Sequence, residues 1–143
     1  MRDRDGNIFL GTGKGKDFYT YRSTALALAF GGNATDNINI EASSDFLVQK
    51  LTYQVDIAAA AFTDSTRPIP NVTLQITDTG SGQQFFSDAL PIPMIFGTGQ
   101  VPFILPIPRL VMANSALQLA YTNYDAAVTY NIYLGFIGMK IYR

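Results

Sequence analysis

The 143-residue sequence predicts an all-β domain, an antiparallel sandwich or barrel preceded by an extended N-terminal arm. Three observations predict it. Apolar and polar residues alternate with period two through most segments after residue 23, the signature of strands with one buried face. Turn-forming clusters punctuate these segments at short intervals. Helical periodicity is almost absent, with Ile57–Phe62 (IAAAAF) the one stretch that could form a turn of helix.

Residues 1–22 differ from the rest. They hold Arg2, Arg4, Lys14, Lys16 and Arg22 against Asp3, Asp5 and Asp17, show no clear period and are rich in Gly. They read as an arm, and residues 23–143 as the body. After the arm, strands are expected near 24–30, 37–41, 46–58, 71–77, 83–87, 93–96, 101–105, 115–122 and 128–142. In the third, Leu51, Tyr53, Val55 and Ile57 alternate with Thr52, Gln54 and Asp56. In the fourth, Val72, Leu74 and Ile76 alternate with Thr73, Gln75 and Thr77. Leu117, Leu119 and Tyr121 do the same in the eighth. The connections Gly31-Gly32-Asn33, Thr77–Gly82 (TDTGSG), Gly97-Thr98-Gly99 and Asn123-Tyr124-Asp125 are turn-type.

The last strand changes phase. Its apolar residues occupy even positions from Val128 to Phe136, then odd positions at Ile137, Met139 and Ile141. A one-residue slip moves every side chain to the other face. A bulge at Gly135 or Gly138 would absorb it, as would a bend from one sheet into another.

The stretch Leu90–Met112, LPIPMIFGTGQVPFILPIPRLVM, carries one charge, Arg109, and five prolines. The prolines break any helix and leave backbone groups unpaired, which excludes a membrane span. Six of the chain's seven prolines form Pro-Ile-Pro units at 68–70, 91–93 and 106–108. Prolines two residues apart erase amide donors along one edge only. Each unit therefore belongs at a sheet edge or a strand entry. Gly97-Thr98-Gly99 then separates two short strands, buried in the sandwich or against a neighbour.

Composition excludes much chemistry. There is no Cys, His or Trp, so thiolate sites, His bases and the usual transition-metal ligands are missing. Residues 1–20 contain no apolar run of the signal-peptide kind. The net charge of −1 gives no general attraction to nucleic acid or membrane. Gly11–Lys16 (GTGKGK) lacks the spacing of a phosphate loop. Asp36, Glu41 and Asp45 lack calcium-loop spacing and read as loop acids. Asp78-Thr79-Gly80 resembles the catalytic loop of aspartic proteases, in which Asp78 would act in a dimer, but it is equally an ordinary hairpin turn. Phe18, Tyr19 and Tyr21, interleaved with Lys16 and Arg22, could stack on single-stranded nucleic acid. Anchoring a protein partner fits better, because the patch is short.

The segment Pro106–Tyr142, PIPRLVMANSALQLAYTNYDAAVTYNIYLGFIGMKIY, resembles the closing strands of small single jelly-roll proteins that decorate or cement tailed-bacteriophage capsids. In that pattern a Pro-bounded segment ending in Arg leads to an Asn-Ser turn, then a strand ending in Thr-Asn, then a long aromatic strand. The resemblance implies an antiparallel β-sandwich of jelly-roll type without enzymatic activity or cofactor. It implies a virion protein, assembled in the host cytoplasm, that bridges neighbouring capsid subunits. The implied partners are the major capsid protein or other virion subunits, and further copies of the chain in a trimer or dimer, with no membrane or specific nucleic acid. Arg2, Arg4, Lys14, Lys16, Phe18, Tyr19, Tyr21 and Arg22 of the arm are the expected partner-binding residues. A tail or fibre protein is an alternative. So is a carbohydrate-binding sandwich using Asn123, Tyr124 and Asp125. A dimeric protease using Asp78 is the distant one.

Overall fold

The structure is a computed structural model that describes residues 15–24, 26–57, 70–126 and 128–142. Its strands are β1 (Lys16–Arg22), β2 (Leu26–Leu28), β3 (Asn33–Asn39), β4 (Ser44–Ile57), β5 (Val72–Asp78), β6 (Gln83–Gln84), β7 (Leu90–Pro91), β8 (Phe103–Val111), β9 (Ala116–Asn123) and β10 (Tyr130–Tyr142). A single helical turn, α1 (Ile92–Ile95), follows β7.

The strands form two antiparallel five-stranded sheets. Sheet A runs β1-β10-β4-β8, with β2 continuing β1 along the edge of β10. Sheet B runs β3-β9-β5-β6, with β7 beside β6 on β5. With β1–β2 and β6–β7 each counted as one interrupted edge strand, the pairing is nested. The first strand pairs with the last, β3 with β9, β4 with β8, and β5 with β6–β7. That is the wrapping of a jelly roll, which folds one long set of hairpins into two facing sheets.

Inward alternation fills the space between the sheets. Phe46, Val48, Leu51, Val111, Ile132, Leu134 and Phe136 from sheet A meet Leu74, Ile76, Leu117, Leu119 and Tyr121 from sheet B, all at most 2% exposed. Burying such side chains is worth about 1.5–3 kcal/mol each, so this contiguous layer dominates stability.

The expected boundary at residue 23 is corrected, because Lys16–Arg22 pairs with β10 from Ile141 to Gly135. β1 is an edge strand whose charges, Lys16, Asp17 and Arg22, mask its alternation in the sequence. Between β1 and β2, Ser23 keeps the ladder closed. Its N–H donates to Leu134 O at 2.9 Å, and its Oγ accepts the Leu134 N–H at 2.9 Å. Residues 1–14 and the IAAAAF tract beyond Ile57 lie outside the described residues.

The phase change of the last strand also has a different origin. β10 keeps its alternation from end to end, and Gly138 and Lys140 continue its inward face. The register shift beside Gly138 arises in β4, where Ile137 pairs with Lys50 and Gly138 with Val48. Gln49 is thus the extra residue, and β4 itself switches from even to odd inward positions there. Ile137, Met139 and Ile141 face outward. Their apolar character belongs to the surface, not to a rotated strand.

Two further expectations change in Leu90–Met112. Residues 93–96 form no strand; Pro91 and Pro93 sit at the start of α1, where missing amide donors cost nothing, and the Phe96 N–H closes the turn on Ile92 O at 2.9 Å. The strand expected at 101–105 runs on to Val111, through the second Leu-Pro-Ile-Pro. It does so because Leu105 to Pro108 lie opposite the bulged Gln49, between the pairs Lys50–Ile104 and Val48–Arg109. The prolines stand where no ladder bond is needed, on the free edge of sheet A, as their spacing implies.

Candidate interaction surface

The two outer faces of the sandwich are chemically unlike. On sheet B, successive outward rows are Asn33–Thr122–Thr73, Thr35–Ala120–Gln75 and Asn37–Gln118–Thr77. These are small or polar side chains that water satisfies.

Sheet A differs. Register places Phe18, Met139, Leu47 and Leu110 side by side across all four strands. The next row is Thr20, Ile137, Lys50 and Ile104. On the other side of the first row, Ile141 stands between Lys16 and Asp45. Phe18 is 76% exposed, Ile104 64%, Leu110 45% and Met112 46%. Ile107, on the β8 edge, is 81% exposed. Single exposed apolar residues are ordinary, but a contiguous band bordered by charges marks an interaction site. Strand addition at β8 is disfavoured because Pro106 and Pro108 lack donors, so the band is suited to face-on contact.

A cleft of about 740 Å³ opens beside this band, between the free β8 edge of sheet A and the β6 side of sheet B. Phe85, Phe86, Ile95, Phe103 and Leu105 line its apolar wall. Arg109 reaches across it, with its guanidinium 4.3 Å from the centre of the Phe85 ring. Its Nε is buried and has no hydrogen-bond partner. Asp78 also lines the cleft, and its Oδ1 accepts the Gly80 N–H at 2.9 Å.

The expected site residues divide by strand alternation. On β1, Lys16, Phe18 and Arg22 point outward, and Arg22 lies over the Tyr133 ring at 5.9 Å. Tyr19 and Tyr21 point inward. Tyr21 is 7% exposed and packs edge-on against Tyr19 at 4.8 Å and Phe46 at 4.7 Å. Tyr21 is therefore a core residue, and only alternate members of the aromatic-basic cluster share a face. Arg2, Arg4 and Lys14 lie outside the described residues. Leu47, Leu110, Ile137 and Met139 were missed as surface residues; the shifted apolar phase after Phe136 is the sequence signal that pointed to two of them.

Lys140, inward and 7% exposed, donates from Nζ to Glu41 Oε1 at 2.7 Å and lies 3.7 Å from the centre of the Tyr19 ring. The hydrogen bond to Lys140 holds the Glu41 carboxyl below its ordinary value, and the same bond raises Lys140. A depressed carboxyl stabilises the fold above its ordinary pKa, and that contribution disappears as pH falls through the lowered value. Glu41→Gln should therefore lower the melting temperature modestly at neutral pH, where the contribution is present in the parent, and its profile should converge with the parent's as pH falls below about 4.5.

The alternative sites dissolve into local structure. Asp78 caps the turn after β5. Asn123 Nδ2 donates to Leu28 O at 3.2 Å and Val128 O at 2.9 Å, and its Oδ1 accepts the Asp125 N–H at 2.9 Å. Asp125 accepts the Tyr130 hydroxyl at 2.9 Å and the Val128 N–H at 3.0 Å. Of the three residues expected for a glycan, only Tyr124 presents an open side chain, at 62% exposure. Asp36, Glu41 and Asp45 do not converge either: they serve the Thr24 N–H, Lys140 and the Ala113 N–H respectively. No group of three or more metal-ligating residues occurs among the described residues.

The fold and surface define a jelly-roll sandwich with one polar outer face and an apolar band across the other. No family model matches the chain, and no curated protein matches it. Among solved structures it is similar to a chain titled "Cyanophage Pam1 capsid asymmetric unit", at 17% identity and a TM-score of 0.47, covering 99% of this chain and 97% of that one.

Proposed function

We propose that this chain is a structural protein of a bacteriophage virion that binds neighbouring capsid subunits through the outer face of sheet A. The observation that carries the reading is the asymmetry of the sandwich. Phe18, Met139, Leu47 and Leu110 form an apolar row across one sheet, while Thr, Asn and Gln cover the other. An apolar band of this kind on one face only is suited to being covered there. The resemblance of Pro106–Tyr142 to capsid-decorating proteins supports the same role. So does the lack of His and Cys, which removes the commonest catalytic groups.

In this reading Lys16, Phe18 and Arg22 meet the neighbouring subunit at the β1 end of the band, and Arg2, Arg4 and Lys14 add contacts ahead of it. Many copies repeated over a particle convert modest individual contacts into stable attachment. The full chain should co-sediment saturably with purified capsids of the virus that encodes it. Absence of the chain from the pellet at saturating concentration would overturn the proposal.

A further inference from the structure

We propose that the cleft between β8 and β6 receives Ile8-Phe9-Leu10 from the arm of a second copy of this chain. The inference deepens the assembly role proposed above, because it names one neighbour and its point of attachment.

Chemistry and topology argue for this occupant. The cleft wall of Phe85, Phe86, Ile95, Phe103 and Leu105 asks for an apolar guest. Ile8-Phe9-Leu10 is the one run of three apolar residues ahead of β1, with Asp5 before it and Lys14 after it. The cleft offers charges of both signs, with Arg109 and Asp78, 4% exposed, in its lining. Arg109 is already desolvated at Nε with no partner there, and a carboxylate such as Asp5 would supply the missing acceptor. Strand addition does not compete, since Pro106 and Pro108 deprive the β8 edge of donors.

Topology separates the exit of the arm from the cleft of its own molecule. The chain enters sheet A at the β1 edge, where Gly15 O accepts the Tyr142 N–H at 3.1 Å. The cleft opens at the β8 edge, on the far side of β10 and β4. In one molecule the arm exit and the cleft thus lie at opposite margins of the sheet. Two molecules set side by side bring the exit of one to the cleft of the other, a head-to-tail contact.

The chain contains no cysteine, so introduced thiols report without background. Full-length protein carrying Phe9→Cys is mixed with full-length protein carrying Ile107→Cys, at the exposed cleft rim, and oxidised mildly. Most of the protein should become a covalent dimer, and the pairing of Phe9→Cys with Gln118→Cys on the outer face of sheet B should give at least about tenfold less. Two results would overturn the proposal. One is no dimer from variants whose circular dichroism matches the parent. The other is a doubly substituted chain that closes only on itself. Capsid co-sedimentation of the parent separates the two readings. Pelleting of the parent with no cross-link between Phe9→Cys and Ile107→Cys defeats the arm contact alone, whereas cross-linking without any pelleting by the parent defeats the capsid role alone.

Discussion

Gly138→Ala is expected to destabilise the fold severely. A Cβ built at Gly138 would stand 1.8 Å from Leu47 O and 3.2 Å from Val48 Cα. Both are backbone atoms of β4, and neither can swing aside as the end of a side chain would. Gly138 lies where the β4 bulge brings the two central strands of sheet A together, so relieving the clash means separating them. The cost should be about 4 kcal/mol or more, in the range reserved for a broken core or strained backbone. Thermal unfolding should show a midpoint lowered by roughly 10 °C or more, or no folded protein. Gly99→Ala, where nothing lies within 4 Å of the built Cβ, is the matched control and should melt within about 2 °C of the parent.

The second large effect concerns binding. Phe18→Asp with Leu110→Asp places charge at both ends of the apolar row while leaving the core untouched. The two side chains are 76% and 45% exposed, so the double variant should lose no more than about 1 kcal/mol of stability. Its affinity for capsids should fall at least about 100-fold, the loss typical of removing central apolar anchors. Thr35→Asp with Gln118→Asp, on the polar outer face of sheet B, should leave affinity within about threefold of the parent. Equal losses from both pairs would mean that neither face is special.

Particular residues show how far the sequence could be read. Alternation placed β4, β5, β9 and β10 because each presents one buried face, and Leu74, Leu119 and Ile132 sit at the inward positions it assigned. The Pro-Ile-Pro spacing places these units at a sheet edge or strand entry, where Pro91 and Pro106 are found, while most of the unit at 68–70 lies outside the described residues. Periodicity failed where burial is not its only cause. Ile137 and Met139 are apolar although they face outward, so a pattern rule that equates apolar with buried invents a slip in β10. The real slip, at Gln49, hides in a polar pair of residues that carries no phase information. Lys16–Arg22 resembles an arm in sequence because an edge strand presents charges to solvent. The helical turn at α1 is set by prolines whose φ suits a first helical turn as well as an extended chain, and nothing local separates the two.

The candidate surface was less legible than the fold. A row such as Phe18–Met139–Leu47–Leu110 draws one residue from each of four strands far apart in sequence, and only the register of sheet A assembles it. The aromatic-basic cluster at residues 16–22 contains Phe18, which stands at one end of the band. It could not divide Phe18 from Tyr21 until strand alternation assigned them to opposite faces.

The most direct test of the account is covalent footprinting of the full chain, free and bound to capsids, with a carbene probe read by mass spectrometry. Attachment through the outer face of sheet A predicts that labelling at Phe18, Ile104, Leu110 and Met139 falls on binding, while labelling at Thr35, Asn37 and Gln118 is unchanged. Protection of the sheet B residues, with the sheet A residues still labelled as in the free protein, would contradict it.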